Sequence, residues 1–144
     1  MSDIVFSTGI VEMSVNGGRT IRFNPADVGF IDTLYSLMAK VEDIEKESQK
    51  KREKSDDPAK IFDYFRSSDK RMRDAVDAVF GEGFCDDVFD GVRLVAMADG
   101  LTVLENFVFA VIDQMDESVK ANMDRRNAKI EQYTAKYRNR RGKA

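Results

Sequence analysis

The side chains of this chain that could carry out chemistry are carboxylates, amines and one thiol, because its 144 residues include no histidine. Without histidine, the Ser-His-Asp and Cys-His catalytic arrangements and the usual proton shuttle near neutral pH cannot form. The one cysteine, Cys85, can form neither an internal disulfide nor a thiolate metal site. Three nearby aspartates, Asp86, Asp87 and Asp90, oppose ionisation of its thiol, so we predict a buried structural cysteine.

Two groups of carboxylates have spacings that resemble metal sites. The segment from Asp86 has aspartates at loop positions 1 and 5 and glycine at position 6, as in a calcium loop. Positions 3 and 12 are Val88 and Met97, which supply no ligand, so we interpret the segment as a capped turn. Asp113 and Glu117 lie four residues apart, but they lack a histidine or a fourth convergent ligand and are interpreted as a solvated acidic surface. We therefore predict no metal, no cofactor and no catalytic residue.

Charge is distributed unequally along the chain. Residues 120–144 contain nine Lys or Arg and two acids, whereas residues 1–119 contain fourteen bases and twenty-four acids. An acidic body with a basic helical tail is typical of a protein that binds other macromolecules. The length fits one domain with a core of its own. We predict a single domain over residues 1–119 and a basic helical tail over residues 120–144.

Two observations bear on location. No apolar run approaches the roughly 20 residues that span a bilayer. Residues 1–4 lack the basic and apolar regions that begin a signal peptide. The sequence therefore predicts a cytoplasmic protein with no membrane association.

The N-terminal part of the chain has the pattern of a β-hairpin. Apolar and polar side chains alternate over residues 11–15 and again over residues 20–23, on either side of Asn16-Gly17-Gly18. Asn and Gly tolerate the positive φ of a hairpin turn, so we predict two antiparallel strands. A lone hairpin is marginally stable in water, and its apolar face must therefore pack on helices or on another subunit. Residues 4–6 either extend the first strand or pair elsewhere.

Apolar residues then recur at steps of three and four, which predicts helices. The first helix is expected to begin with Asn24 as its N-cap, and to fray or project into solvent beyond Glu45, where the apolar stripe stops. The second is expected to run from Asp57, its N-cap, to Gly81. The short polar link between them predicts an antiparallel pair. For residues 81–100, a helical turn at Asp86 and a short helix or extended segment afterwards remain open.

A long helix is predicted to begin near Leu101, where Thr102 and Glu105 match the capping-box pattern, and to continue to the C-terminus. Its first half is apolar nearly all round, which predicts burial on several sides. An apolar stripe continues through the basic second half, and about forty residues of helix exceed what so small a domain can cover. Another chain is therefore expected to bind here. The candidate partner-binding residues are Leu104, Phe107, Val108, Val111, Met115, Val119, Met123, Arg125, Arg126, Lys129, Arg138, Arg140 and Arg141.

These elements define the predicted fold class, which is α+β and predominantly α-helical. An N-terminal β-hairpin is followed by an antiparallel helix pair and a long C-terminal helix. The basic tail leaves three interpretations open: it binds phosphates, it docks on an acidic protein surface such as the body of another copy, or it is a solvated terminus. The acidic body argues against a dedicated nucleic-acid-binding protein, and a homo-oligomer is the favoured assembly.

The layout and several short phrases resemble the small tail assembly chaperones of long-tailed phages and Gram-positive prophages. The phrases are Phe23-Asn24-Pro25, Cys85-Asp86-Asp87-Val88-Phe89, and Asp99-Gly100 before the apolar run over residues 104–115. The likeness covers about residues 8–120, and the long basic C-terminus departs from it. It implies a non-enzymatic protein, made in the infected host, that coats the tape-measure protein and recruits tail-tube subunits. A structural virion or tail-completion protein and a small nucleic-acid-binding regulator are the rival hypotheses.

Overall fold

The computed structural model describes residues 1–142, without the side chains of Tyr137 and of residues 139–142. It confirms the predicted fold class: a hairpin, an antiparallel helix pair and a long C-terminal helix. In chain order the elements are β1 (Val11–Ser14), β2 (Thr20–Phe23), α1 (Val28–Glu53), α2 (Pro58–Phe80), α3 (Phe84–Val88), β3 (Met97–Ala98), β4 (Leu101–Thr102) and α4 (Val103–Gly142).

Strands β1 and β2 pair antiparallel, and the register places Val11 opposite Phe23. Asn16 and Gly17 both have positive φ in the connecting loop, as their residue types predict. Ile21 and Phe23 are buried, so the apolar face of this hairpin packs on the helices of the same chain. Residues 4–6 do not extend β1, and their large apolar side chains are exposed.

The first helix begins three residues later than the sequence predicted, with Asp27 as its N-cap. The Asp27 side chain accepts a hydrogen bond from the backbone N–H of Gly29 at 2.9 Å. Asn24 forms a local turn instead, in which its Oδ1 accepts from the N–H of Ala26 at 2.7 Å. Its Nδ2 donates to the carbonyl of Thr8 at 2.9 Å. Asn24 was the wrong N-cap because its side chain satisfies a turn before the helix.

The prediction that α1 frays or projects into solvent beyond Glu45 is wrong. Ser48 is buried, and its hydroxyl donates to the carbonyl of Tyr64 on α2 at 3.4 Å. The Arg52 guanidinium lies 4.1 Å from the centre of the Phe65 ring and forms an ion pair with Glu45 at 2.9 Å. The polar end of α1 therefore packs on α2 through a charged and aromatic layer rather than an apolar stripe.

The segment after α3 completes this layer. The guanidinium of Arg93 also lies over Phe65, at 4.7 Å, and forms ion pairs with Glu45 at 3.4 Å and Asp69 at 3.9 Å. Arg73 on α2 bonds Asp69 at 3.1 Å and the carbonyl of Val92 at 2.9 Å. These contacts hold the segment between α3 and β3 against helices α1 and α2.

The second helix matches its prediction, with Asp57 accepting a hydrogen bond from the N–H of Ala59 and with Gly81 after its last residue. The undecided segment over residues 81–100 contains α3 and then the small β3–β4 hairpin, whose turn residues Asp99 and Gly100 both have positive φ. The capping box before α4 is confirmed. The Thr102 hydroxyl accepts from the N–H of Glu105, and the Glu105 carboxylate accepts from the N–H of Thr102.

The centre of the core is a group of six phenylalanine rings, here called the phenylalanine cluster. It joins β2, all three helices of the body and the start of α4, with adjacent ring centroids between 4.8 and 6.1 Å apart. Phe84 contacts three of the other rings and is 0% exposed. Its members are Phe23, Phe30, Phe80, Phe84, Phe89 and Phe107.

The phenylalanine cluster predicts where a truncated ring will matter. Phe84→Ala should lower the free energy of unfolding by about 3–5 kcal/mol, because it removes a buried ring and leaves a cavity. Phe62→Ala is the matched control, since Phe62 is 58% exposed, and a surface substitution should change stability by no more than about 0.5 kcal/mol. Urea unfolding followed by circular dichroism measures both. Equal losses in the two variants would contradict the central role of Phe84.

Candidate protein-interaction surfaces

An open apolar groove of about 490 Å³ runs between the β1–β2 hairpin and the first part of α4. We call residues 103–119 of α4 the proximal segment and residues 120–142 the distal segment. Met13 and Val15 form the hairpin wall, and Phe107 and Ala110 form the wall on the proximal segment. Phe89 lines the groove after α3. The groove exists because the phenylalanine cluster joins the two walls at the base of the groove, while the small side chain of Ala110 leaves space between the walls further out.

Polar groups lie on this groove without converging on one point. Asn16, Asp90, Asn106 and Gln114 contribute to its lining. The Asn106 Nδ2 is already bonded to the carbonyl of Ala98 at 2.8 Å. Among the described residues that line the groove, Asp90 is the single carboxylate. Apolar walls with scattered polar groups suit the binding of apolar side chains better than acid–base chemistry, which needs paired groups within hydrogen-bond reach.

The distal segment extends from the body as a helix that no other described element covers. Val119 is half-buried, and every side chain from residue 120 to residue 136 is exposed. At 1.5 Å per residue the distal segment projects about 34 Å. Met123, Ile130 and Tyr133 on it are 48%, 46% and 72% exposed. The change in burial coincides with the predicted boundary between residues 1–119 and residues 120–144, of which residues 143 and 144 lie outside the described part.

The structure divides the predicted partner-binding residues into groups. Leu104, Val108 and Met115 are buried in the core of their own chain, which corrects their assignment as partner-binding residues. Phe107 and Val111 are also core residues, but each contributes to the groove lining. The exposed or half-buried candidates are Val119, Met123, Arg125, Arg126, Lys129 and Arg138. The side chains of Arg140 and Arg141 lie outside the described residues.

The expectation that the first half of α4 is buried on several sides is also wrong. Phe109 and Ala110 are exposed, and Ala110 faces the open groove. Sequence reasoning missed Ala110, Phe89 and Val92 as groove residues. The alternation in the hairpin indicated an apolar face at Met13, but no sequence signal showed that this face would stand opposite α4.

Cys85 is a buried thiol rather than part of a reactive site. Its Sγ donates to the carbonyl of Arg73 at 3.6 Å, and its backbone N–H donates to Asp77 Oδ1 at 2.9 Å. Burial, and then the adjacent Asp77 carboxylate, raise the pKa of the Cys85 thiol well above its ordinary value. The thiol therefore stays protonated at neutral pH, and the protonated form is a poor nucleophile.

Two further findings concern the described residues alone. No group of three or more Cys, Asp or Glu side chains among them is arranged to hold a metal ion. Within the same part of the chain, no helix combines the length and the apolar character needed to cross a membrane.

These features define a class: a small, mainly helical α+β protein with an apolar groove and a projecting basic helix. The chain belongs to DUF6673, a family of unknown function, whose model matches residues 17–144. No curated protein and no solved structure matches the chain. The family match includes the strand β2, all four helices and the β3–β4 hairpin, and it begins after β1.

Cys85 gives a direct test of the core around α3. In the folded protein its alkylation by iodoacetamide should be at least about 100-fold slower than in the urea-unfolded chain, because attack requires local opening and a thiolate. The raised pKa should keep the reaction slow when the pH is brought to about 9, where a free thiol is largely ionised. Mass spectrometry of the intact chain measures the rate. Fast labelling of the folded protein would show that the thiol is accessible.

Proposed function

We propose that this protein is a non-enzymatic assembly chaperone of a phage tail. It binds the long helical tape-measure protein and helps to recruit tail-tube subunits in the cytoplasm of the infected host. The observation that carries the proposal is the open apolar groove between the β1–β2 hairpin and the proximal segment. The choice of client rests on the resemblance of the sequence to tail assembly chaperones.

The shape and chemistry of the groove support an amphipathic helix as its occupant. One wall is a helix and the other a strand pair, so a client helix can place apolar residues spaced three and four apart against Phe107, Ala110 and Met13. Burial of apolar area supplies roughly 25 cal/mol per Å² before the costs of association are subtracted. Asn16, Asp90 and Gln114 at the groove can bond the polar flanks of the client.

A groove of this kind suits a transient task. It is open to solvent, so a client helix would be held on one side and could leave when tube subunits pack on it. The methionine at position 13 adds a flexible, polarisable contact that adapts to different apolar side chains along a repetitive client. Such adaptability is useful to a protein that must coat a long helical partner at many positions.

Co-expression with the tape-measure protein of the same phage or prophage tests this function. The client should be insoluble alone and soluble with the wild-type protein. Ala110→Arg should abolish the effect, because a long charged side chain fills the groove and must be desolvated when the client binds. Soluble client measured after centrifugation reports the outcome.

Ala39→Arg is the matched control, since Ala39 is an exposed helical alanine on α1 outside the groove lining. It should solubilise the client as well as the wild type does. A client that stays insoluble with the wild-type protein would contradict the proposed function. Full activity of Ala110→Arg would contradict the groove as its site.

A second candidate function is nucleic-acid binding, favoured by the exposed bases Arg125, Arg126 and Lys129 on the distal segment. It requires an affinity for duplex DNA that falls steeply with salt and disappears when the chain ends before Lys120. A structural virion protein, the third hypothesis, would be found by mass spectrometry in purified particles, whereas a chaperone would be absent from them.

A further inference from the structure

The charges of α4 are segregated between its two segments. The proximal segment contains four acids and no base, namely Glu105, Asp113, Asp116 and Glu117. The part of the distal segment with described side chains contains six bases against two acids, and the bases are Lys120, Arg125, Arg126, Lys129, Lys136 and Arg138. One continuous helix therefore carries opposite charge on its two halves.

These charges are not neutralised within the described part of the chain. Glu105 is occupied by the capping box, but Asp113, Asp116 and Glu117 are exposed and take part in no ion pair there. Three acids of the body differ from them, since Glu45, Glu47 and Asp69 are each paired with arginines. Both halves of α4 thus present unmatched charge at the surface.

An apolar stripe runs along the same helix and links the two halves. It starts at Ile112 and Val119, which are half-buried, and continues through the exposed Met123, Ile130 and Tyr133. The steps between these residues are 7, 4, 7 and 3, so at 3.6 residues per turn their side chains share one side of the helix. This stripe has the spacing of a helix–helix contact seam.

We propose that two copies of this protein pair through α4 in antiparallel orientation, so that the distal segment of each lies along the proximal segment of the other. Only this orientation places the basic half of each helix beside the acidic half of its partner. A parallel pair would set the two basic halves side by side, and like charges at an interface are unfavourable.

Full overlap of the two helices sets the level at which each residue faces the partner. When the two helices overlap fully, their midpoints fall between Asn122 and Met123, and Asp116 stands at the level of Lys129 of the partner subunit. The arrangement has two-fold symmetry, so each contact occurs twice and the assembly closes as a dimer. The pairing covers the stripe and also supports a helix that would be marginal without packing.

Nucleic acid is a weaker occupant on the same observations. Phosphates would neutralise the distal segment but would be repelled by Asp113, Asp116 and Glu117 on the proximal segment. A second copy matches both halves of the helix at once. It also covers apolar residues that a phosphate backbone cannot.

Paired charge reversals test this interface in the full chain without any client. The acid variant carries Asp113→Lys, Asp116→Lys and Glu117→Lys, and the base variant carries Arg125→Glu, Arg126→Glu and Lys129→Glu. Sedimentation velocity should show a wild-type dimer at micromolar concentration. Each variant alone should dimerise about 100-fold more weakly, because reversed charges repel and two-fold symmetry counts each contact twice.

The equimolar mixture of the two variants is the decisive arm. In the mixed dimer, one of the two repeated contacts has its charges exchanged, because the lysines of the acid variant meet the glutamates of the base variant. The other contact keeps its original acids and bases. The mixed dimer should therefore form with an affinity close to that of the wild type. A parallel pairing instead predicts a mixed dimer much tighter than the wild type, because only the mixture would remove its like-charge contacts.

Asp32→Lys, Asp43→Lys and Glu53→Lys form the matched control, because they reverse three exposed acids on α1 rather than on α4 and should leave the dimer intact. Circular dichroism confirms that each variant keeps its helical content. A monomeric wild type, a dimer insensitive to both sets of reversals, or a mixture that stays monomeric would overturn the proposal.

Zero-length carbodiimide coupling, which joins a carboxylate to a lysine amine, tests the orientation. Asp116 and Lys129 of one copy lie about 20 Å apart along the helix and cannot be joined within it. An amide bond between them, found by mass spectrometry in a covalent dimer, supports the antiparallel pairing. Glu117 and Lys120 are one turn apart and serve as the internal positive control of the reagent. Coupling there without any Asp116–Lys129 product would overturn the orientation.

The proposed interface does not depend on the proposed client, so the interface and the chaperone function can be contradicted separately. A dimer that rescues as expected but does not solubilise the tape-measure protein supports the interface and contradicts the proposed function. A monomeric wild type that solubilises the client overturns the interface and supports the function.

Discussion

The phenylalanine cluster is the contact on which the rest of this structure depends. Phe84 on the short α3 contacts rings from α2 and α4, and the ring of Phe30 links the hairpin to Phe80. Two strands and a five-residue helix have little stability of their own, so these rings hold them in place. Helix α4 joins the cluster at Phe107 and packs on the body as far as Met115, so its proximal segment is anchored and its distal segment projects.

The two interaction surfaces follow from this anchoring. The β1–β2 hairpin is held to the core by Phe23 and is separated from α4 beyond this contact, which leaves the groove open along the proximal segment. Further along the same helix, the body ends and the apolar stripe continues without cover. The groove and the stripe lie on one rigid element, so a protein bound in the groove and a second copy on the distal segment would be held in a defined relation.

Local patterns were sufficient for much of this fold. The alternation on both sides of Asn16, the N-cap at Asp57 and the capping box at Thr102 all depend on hydrogen bonds within a few residues. The errors arose where distant residues decided the outcome. The end of α1 stays helical because Arg52 stacks on Phe65 of another helix, and a residue-by-residue reading sees only a polar run there.

The amino-acid sequence by itself determined the helical class, the element order and the opposite charges of the body and the tail, because periodicity, capping and charge are properties of residue types along the chain. Only the tertiary structure decided which apolar residues of α4 are core and which are surface. Leu104, Val108 and Met115 face the body and Ala110 faces an open groove. The physical reason is that burial depends on which partner elements pack against each side of a helix, and a helix that is apolar on several sides does not encode that choice locally.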